Sequence, residues 1–312
     1  MSLNATDILL FEFFWKRSSE FDQSLSQLTL DHALTKALFS KNAPETILSD
    51  RANCWRQFIA AFASGSIPDA VSILRPMDLW QYHFPLAQYI LQSDAKVVGI
   101  AGAPGAGKST LAALVVAVLQ ILNRHSTFIN VSLDDFYHPR DVRSQLGLKW
   151  RAQPGSHDIP AVARVLSAVH SGAIIKTIPT FDQKRDDRGP DRAIDANIRT
   201  LVIDGWFVGM REDGYDDIAR YIDLLIYIDC PVDLAKRRRF RREDEIRSRA
   251  AEGTPKGLSE DHLSAFWSEV LEPGISAWVL PIRRYADLTI ELDQAGAITN
   301  ATLVRSISKD SR

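Results

Sequence analysis

Hydrophobic residues are spaced in two different ways along this chain. Over residues 1–92 they recur at three- and four-residue intervals, as in Leu25, Leu28, Ala33, Leu34, Ala37 and Leu38, the spacing of helices that bury one face. No alternating strand pattern interrupts them, and Pro68, Pro76 and Pro85 divide the stretch into several helices. From Lys96 the pattern changes: Val97 to Ala101 is a short apolar run that enters a Gly-rich turn, and a helix-forming run from Ser109 to Leu122 follows. Further apolar runs, Thr127 to Leu133, Thr200 to Ile203, Leu224 to Ile228 and Leu288 to Leu292, alternate with helical segments. The pattern predicts an α/β fold with a parallel sheet flanked by helices, in residues 93–312, preceded by an N-terminal helical extension over residues 1–92.

The turn between the first strand and its helix carries chemistry. Gly102-Ala103-Pro104-Gly105-Ala106-Gly107-Lys108-Ser109 fits G-x-x-x-x-G-K-[ST], the phosphate-binding P-loop, and stands where that loop has to stand. Glycines let backbone N–H groups turn inward around phosphate oxygens, and the helix N-terminus adds its dipole. Lys108 then reaches the β/γ oxygens and the Ser109 hydroxyl is placed for Mg²⁺. Residues Gly102 to Thr110 are therefore the expected ATP-binding segment, and the fold is expected to be of the P-loop NTPase type. GTPases, ATPases and small-molecule kinases all use this loop, so it leaves the acceptor open.

Other polar residues gather at predicted strand ends, where an open α/β sheet places its ligands. The second strand ends in Asp134, Asp135 and Tyr137; a carboxylate there can accept the acceptor's proton, or Asp135 can cap the following turn. Pro154-Gly155-Ser156-His157-Asp158 opens an amphipathic helix, of which Asp158 is also a natural N-cap. Phe181-Asp182-Gln183-Lys184-Arg185, continuing through Arg188 and Arg192, is too charged for a core: it is either a solvated loop or a loop over an anionic substrate. Leu201 to Asp204 is a buried strand ending in an acid, suited to ordering Mg²⁺. In the run Lys236 to Glu243, Arg239 and Arg242 share one helical face that can close over phosphates.

Composition narrows the partners. A formal net charge of −2 and a pI near 6.4 supply no global basic field for nucleic acid, so a small molecule is the expected ligand. Cys54 and Cys230 are distant in sequence and lack metal-ligand spacing. Glu12, Lys16 and Arg17 break up the apolar stretch around Phe13 and Trp15, so a cytoplasmic location is expected. No run of about 18 uncharged apolar residues predicts a membrane span.

In their order, the P-loop, Ser132-Leu133-Asp134-Asp135-Phe136-Tyr137, Pro154 to Asp158, Phe181 to Lys184 and Asp204-Gly205-Trp206 resemble the D-glycerate 3-kinase family, relatives of phosphoribulokinase, uridine kinase and pantothenate kinase. The resemblance extends through Gly257 to His262 and Trp278 to Tyr285 and covers about residues 96 to 293, leaving the helical extension outside it. It implies ATP-dependent, Mg²⁺-assisted phosphorylation of D-glycerate to 3-phosphoglycerate. It makes Asp134 the base, Lys108 and Ser109 the phosphate and Mg²⁺ contacts, and Arg239 and Arg242 lid residues. Tyr137, His157, Asp158 and Lys184 would line the acceptor pocket, with Asp135 beside them and Lys184 or Arg185 pairing with the acceptor carboxylate. Departures stand at Asp204, where the family usually has Glu, at Phe181, where it usually has Tyr, and after Lys184, where the loop is shorter. A nucleoside, pantothenate or sugar kinase on the same scaffold is the alternative, and a nucleotide-dependent regulatory protein a further one. Residue patterning leaves the oligomeric state and the role of residues 1–92 open.

Overall fold

The computed structural model describes residues 23–66, 76–148, 150–249 and 259–305. Pro68, the Phe13 to Arg17 stretch, Gly257 and Leu258 lie outside them. The main sheet contains six strands: β1 (Val97–Gly102), β2 (Phe128–Ser132), β7 (Thr200–Asp204), β8 (Leu224–Asp229), β9 (Leu288–Leu292) and β10 (Ile298–Leu303), in the spatial order β10-β9-β8-β1-β7-β2. The five apolar runs form its parallel part, and β10 pairs antiparallel with β9 at one edge. Every residue of β1 and β7 is buried, as strands covered by helices on both faces require. β1 sits between β7 and β8, so the chain goes from it to one side of the sheet for β2 and crosses it between β7 and β8. That reversal leaves a crevice at the carboxyl end of β1.

Two small antiparallel pairs lie apart from this sheet: β3 (Ile174–Ile178) with β6 (Arg192–Asn197), and β4 (Phe181–Asp182) with β5 (Asp187–Arg188). The charged segment after Phe181 is thus a tight hairpin.

Helices and the short turns between them make up the described residues of the extension: α1 (Gln23–Asp31), α2 (Ala33–Phe39), α3 (Pro44–Ala63) and α4, which runs from Pro76–Asp78 through a π-helical turn, Leu79–His83, into Phe84–Ser93. Trp55, Phe58, Trp80 and Phe84 pack as a cluster between α3 and α4. Buried Arg51 on α3 ties the two together, donating to Gln88 Oε1 at 3.0 Å and to the Trp80 carbonyl. After these come α5 (Lys108–Leu122), α6 (Arg140–Gln145), α7 (Ile159–Ser171), α8 (Asp216–Ala219), α9 (Val232–Arg249) and α10 (Glu260–Phe266). α2 packs on β10, and α3 and α4 pack on α5. The apolar residues of the extension and of the sheet form one continuous core. Among the described residues, no helix is long and apolar enough to cross a membrane.

Candidate active site

The loop from Gly102 to Lys108 joins β1 to α5 at the crevice. Gly105 has φ +89°, and a Cβ there would stand 2.2 Å from the Ala235 carbonyl oxygen. Only glycine lets the loop turn this way against the first turns of α9. Lys108 is buried at the first position of α5, and its Nζ donates to the Ala103 carbonyl at 2.9 Å. Burial lowers its pKa, opposed by Asp204 and Asp134. Pro104 to Thr110 line an open cavity of about 1610 Å³, while Gly102 and Ala103 lie behind that surface.

Ser109 Oγ donates to Asp204 Oδ2 at 2.6 Å. Asp204 ends β7 in register with Ile100 of β1 on one side and with Ser132, the last residue of β2, on the other. Burial pushes its pKa up to about 6, against the Ser109 hydrogen bond and Lys108, while Asp134 and Asp135 push the same way as burial. A hydroxyl and a carboxylate this close suit Mg²⁺, a hard cation that takes one or two protein oxygens and completes its shell with phosphate oxygens and water. Among the described residues no group of three or more His, Cys, Asp or Glu side chains forms a larger metal site.

A second polar group follows β2. A 3₁₀ turn, Leu133–Phe136, is capped by Ser132, whose Oγ accepts from Asp134 N at 3.3 Å, while Asp135 Oδ2 accepts from Ser132 N at 3.2 Å. Asp135 is thereby engaged as a cap, and Asp134 faces the cavity. Burial raises the Asp134 pKa, but His157, Tyr137 and Lys108 together outweigh it and hold the carboxyl below the ordinary aspartate value. His157 Nε2 is 3.9 Å from Asp134 Oδ1, and Nδ1 is 2.6 Å from the Tyr215 hydroxyl. Tyr137 stacks on the His157 ring with centroids 4.3 Å apart and reaches the cavity itself. His157 supports Asp134 from behind the wall. Asp158 caps α7, accepting from Ala161 N at 3.0 Å, and pairs with Arg188 at 3.5 Å. Among the expected acceptor contacts, Tyr137 and Lys184 line the cavity, whereas Asp135, His157, Asp158 and Arg185 do not.

Two further cations stand on this wall that sequence patterning missed. Arg143 and Arg151 lie against the Phe181 ring, 5.5 and 5.6 Å from its centroid, and both pair with Asp186, at 3.1 and 2.7 Å. Phe181 is thus a platform for guanidinium groups, a job that needs no phenolic hydroxyl. Lys184 lines the same cavity, so a third cation joins the two guanidinium groups that Asp186 pairs. Across it, α9 contributes Arg238, Arg239 and Arg242. Arg239 pairs with Glu243 at 2.7 Å; Arg242 is exposed.

A P-loop with its lysine and serine, an acid at the end of a neighbouring strand, and a cavity lined also by Asp134 and by arginines of α9 are the features of a P-loop kinase. The model of the phosphoribulokinase/uridine kinase family matches residues 97–291. The chain belongs to that family and is an ATP-dependent kinase. Among curated proteins, it is 26% identical to the pantothenate kinase of Serratia proteamaculans over 227 residues, covering 66% of this chain and 71% of the relative. It is 28% identical over 212 residues to that of Sodalis glossinidius, covering 62% and 67%. Among solved structures it shares its fold with D-glycerate 3-kinase from Cryptococcus neoformans (TM-score 0.59, 15% identity, 70% of this chain and 97% of the other). A putative fructose transport system kinase from Silicibacter is also similar in fold (TM-score 0.53, 24% identity, 65% and 96%).

Proposed function

We propose that this kinase transfers the γ-phosphoryl group of ATP to a hydroxyl of a small hydroxy acid, D-glycerate before others, giving 3-phosphoglycerate. The observation that carries this reading is the wall on which an ionised carboxylate, Asp134, stands with Arg143, Arg151 and Lys184. A carboxylate acceptor binds to the cations and leaves its hydroxyl toward Asp134. As that oxygen bonds to the γ-phosphorus and the β–γ bridging bond breaks, its proton passes to Asp134 and the bridging oxygen leaves with ADP. Lys108, Arg239 and Arg242 neutralise charge on the transferring group and hold it in line. The Ser109 hydroxyl and the Asp204 carboxylate would hold Mg²⁺, which would supply further neutralisation of phosphate charge.

Pantothenate is the second reading, because curated relatives carry that name and pantothenate also joins a hydroxyl to a carboxylate. A panel of D-glycerate, L-glycerate, pantothenate, uridine and several sugars, with ADP release as the readout, separates these readings by kcat/KM. Selective turnover of D-glycerate that disappears in Lys108→Ala is expected. Selective turnover of another compound replaces the substrate, and nucleotide binding with no turnover of any acceptor overturns the kinase assignment.

A further inference from the structure

The helical extension lines the same cavity as the P-loop, at one end of it. β2, whose following turn carries Asp134, and β7, which ends in Asp204, lie on one side of β1; β8, β9 and β10 lie on the other. Phosphates cradled at β1 with their γ end toward Asp134 therefore put the nucleoside on the β9 side. There the cavity is bounded by Leu111 and Leu114 of α5, by Ile298 and residues 295–297 of the turn between β9 and β10, and by Tyr82 and His83 of α4. Arg238 bridges the P-loop and that turn: a Cβ added at Gly296 would stand 2.1 Å from its Nη2, and one at Gly107 4.0 Å from its Nη1.

Tyr82 and His83 belong to the π-helical turn Leu79–His83, an irregularity that helices retain mostly where a side chain has to be re-aimed. His83 is only 7% exposed, and its Nδ1 has no hydrogen-bond partner among the described residues. Burial pushes its pKa down to about 4, so at neutral pH the ring offers one donor and one acceptor. A buried polar atom without a partner costs free energy. Nδ1 itself is enclosed, and it is the rest of the residue that lines the cavity wall, where a ligand can meet it.

We infer that the helical extension is the nucleobase wall of this kinase: α4, α5 and the β9–β10 turn form a slot for the purine of the phosphoryl donor, with Tyr82 against its face and His83 at its edge. The inference rests on ATP as the donor bound at the P-loop. It gives the described helices of the extension a part in the site itself, through α4.

Titration calorimetry on the full chain with ADP and with inorganic tripolyphosphate, both with Mg²⁺, tests it. Tripolyphosphate fills the P-loop and leaves the slot empty. Tyr82→Ala and His83→Ala are expected to weaken ADP about tenfold, a typical loss for one base contact, while tripolyphosphate affinity stays within about twofold of wild type. Because His83 is buried, Leu111→Ala, at a half-buried slot position, stands beside these variants with the same expectation. Unchanged ADP affinity in all three, or equal loss of both ligands in Tyr82→Ala and Leu111→Ala, overturns the inference. If wild type binds neither ligand, the P-loop reading itself falls, an outcome distinct from failure of the slot alone.

Discussion

The Tyr215 hydroxyl stands 2.6 Å from Nδ1 of His157, whose other ring nitrogen faces Asp134 at 3.9 Å. Tyr215 is fully buried, and burial drives its pKa far up, so the phenol keeps its proton. Burial also lowers the pKa of His157, against the pull of Asp134. A phenol donating to Nδ1 leaves the imidazole proton on Nε2, the nitrogen turned toward Asp134. Tyr215 thereby acts on the carboxylate through His157, as a positioning residue.

Tyr215→Phe removes that donor and keeps the ring. We expect kcat to fall about three- to tenfold, the worth of one neutral hydrogen bond, with the KM for ATP unchanged. Relaxed restraint on His157 should let the Asp134 pKa rise and move the acid limb of kcat to higher pH. A purely structural role would lower Tm and leave that limb in place.

Asp204 gives a prediction for metal and for pH. Asp204→Asn should raise the Mg²⁺ concentration needed for half-maximal activity about 10- to 100-fold. In wild type the carboxyl titrates at about 6 instead of 3.8, so the nucleotide-free folded chain holds a proton that the unfolded chain has lost across this window. Its contribution to stability is therefore complete below pH 3.8 and disappears as pH rises through about 6. Thermal melts of the nucleotide-free proteins should show Asp204→Asn gaining on wild type by about a few degrees between pH 4 and 6. Lys108, which faces both Asp204 and Asp134, moderates the gain without reversing it. The acid limb of kcat/KM for ATP near pH 6 should be absent in the variant.

What patterning could read, and what it could not, divides along physical lines. The five parallel strands were legible because each is a short run dominated by apolar residues, wholly buried in β1 and β7, and the P-loop because its backbone geometry demands glycine at fixed places. β10 was not: Ile298–Leu303 is a half-exposed edge strand containing Thr299, Asn300 and Thr302. For β4 and β5, two residues each leave no period to detect. Asp135 and Asp158 could be read as caps or as ligands, and a cap is what each forms, since short carboxylates beside free N–H groups take the nearest donor. Arg143, Arg151 and Tyr215 gave no local signal. Their roles come from Phe181, Asp186 and His157, brought beside them by the fold.

Arg151 tests the acceptor class. It is half-exposed and paired with Asp186, so truncation leaves no buried charge stranded and the fold should survive. If the acceptor carries a carboxylate, Arg151→Ala should raise its KM about tenfold or more and leave the KM for ATP unchanged. Lys at this position should restore only part of the loss, because an ammonium cannot reproduce the planar fork or its packing on Phe181. Equal KM values for the acceptor in wild type and Arg151→Ala would remove the carboxylate from the reading.

Gly105 tests whether the loop's shape, apart from its charged groups, sets nucleotide affinity. A methyl group there meets the Ala235 carbonyl oxygen at 2.2 Å, and φ of +89° is hostile to any L side chain. The loop and the start of α9 cannot both stay where they are. Gly105→Ala should cost about 1–3 kcal/mol of stability and weaken ADP and tripolyphosphate together, because the displaced segment carries the N–H groups that face phosphate. Gly65 is the internal comparison: its φ of +66° is also left-handed, but a Cβ there meets nothing within 4 Å. Gly65→Ala should therefore lose some stability from backbone strain and bind both ligands as wild type does. Binding by Gly105→Ala as tight as wild type would show that the loop tolerates a shift away from α9, and that Lys108 and Ser109 alone hold the phosphates.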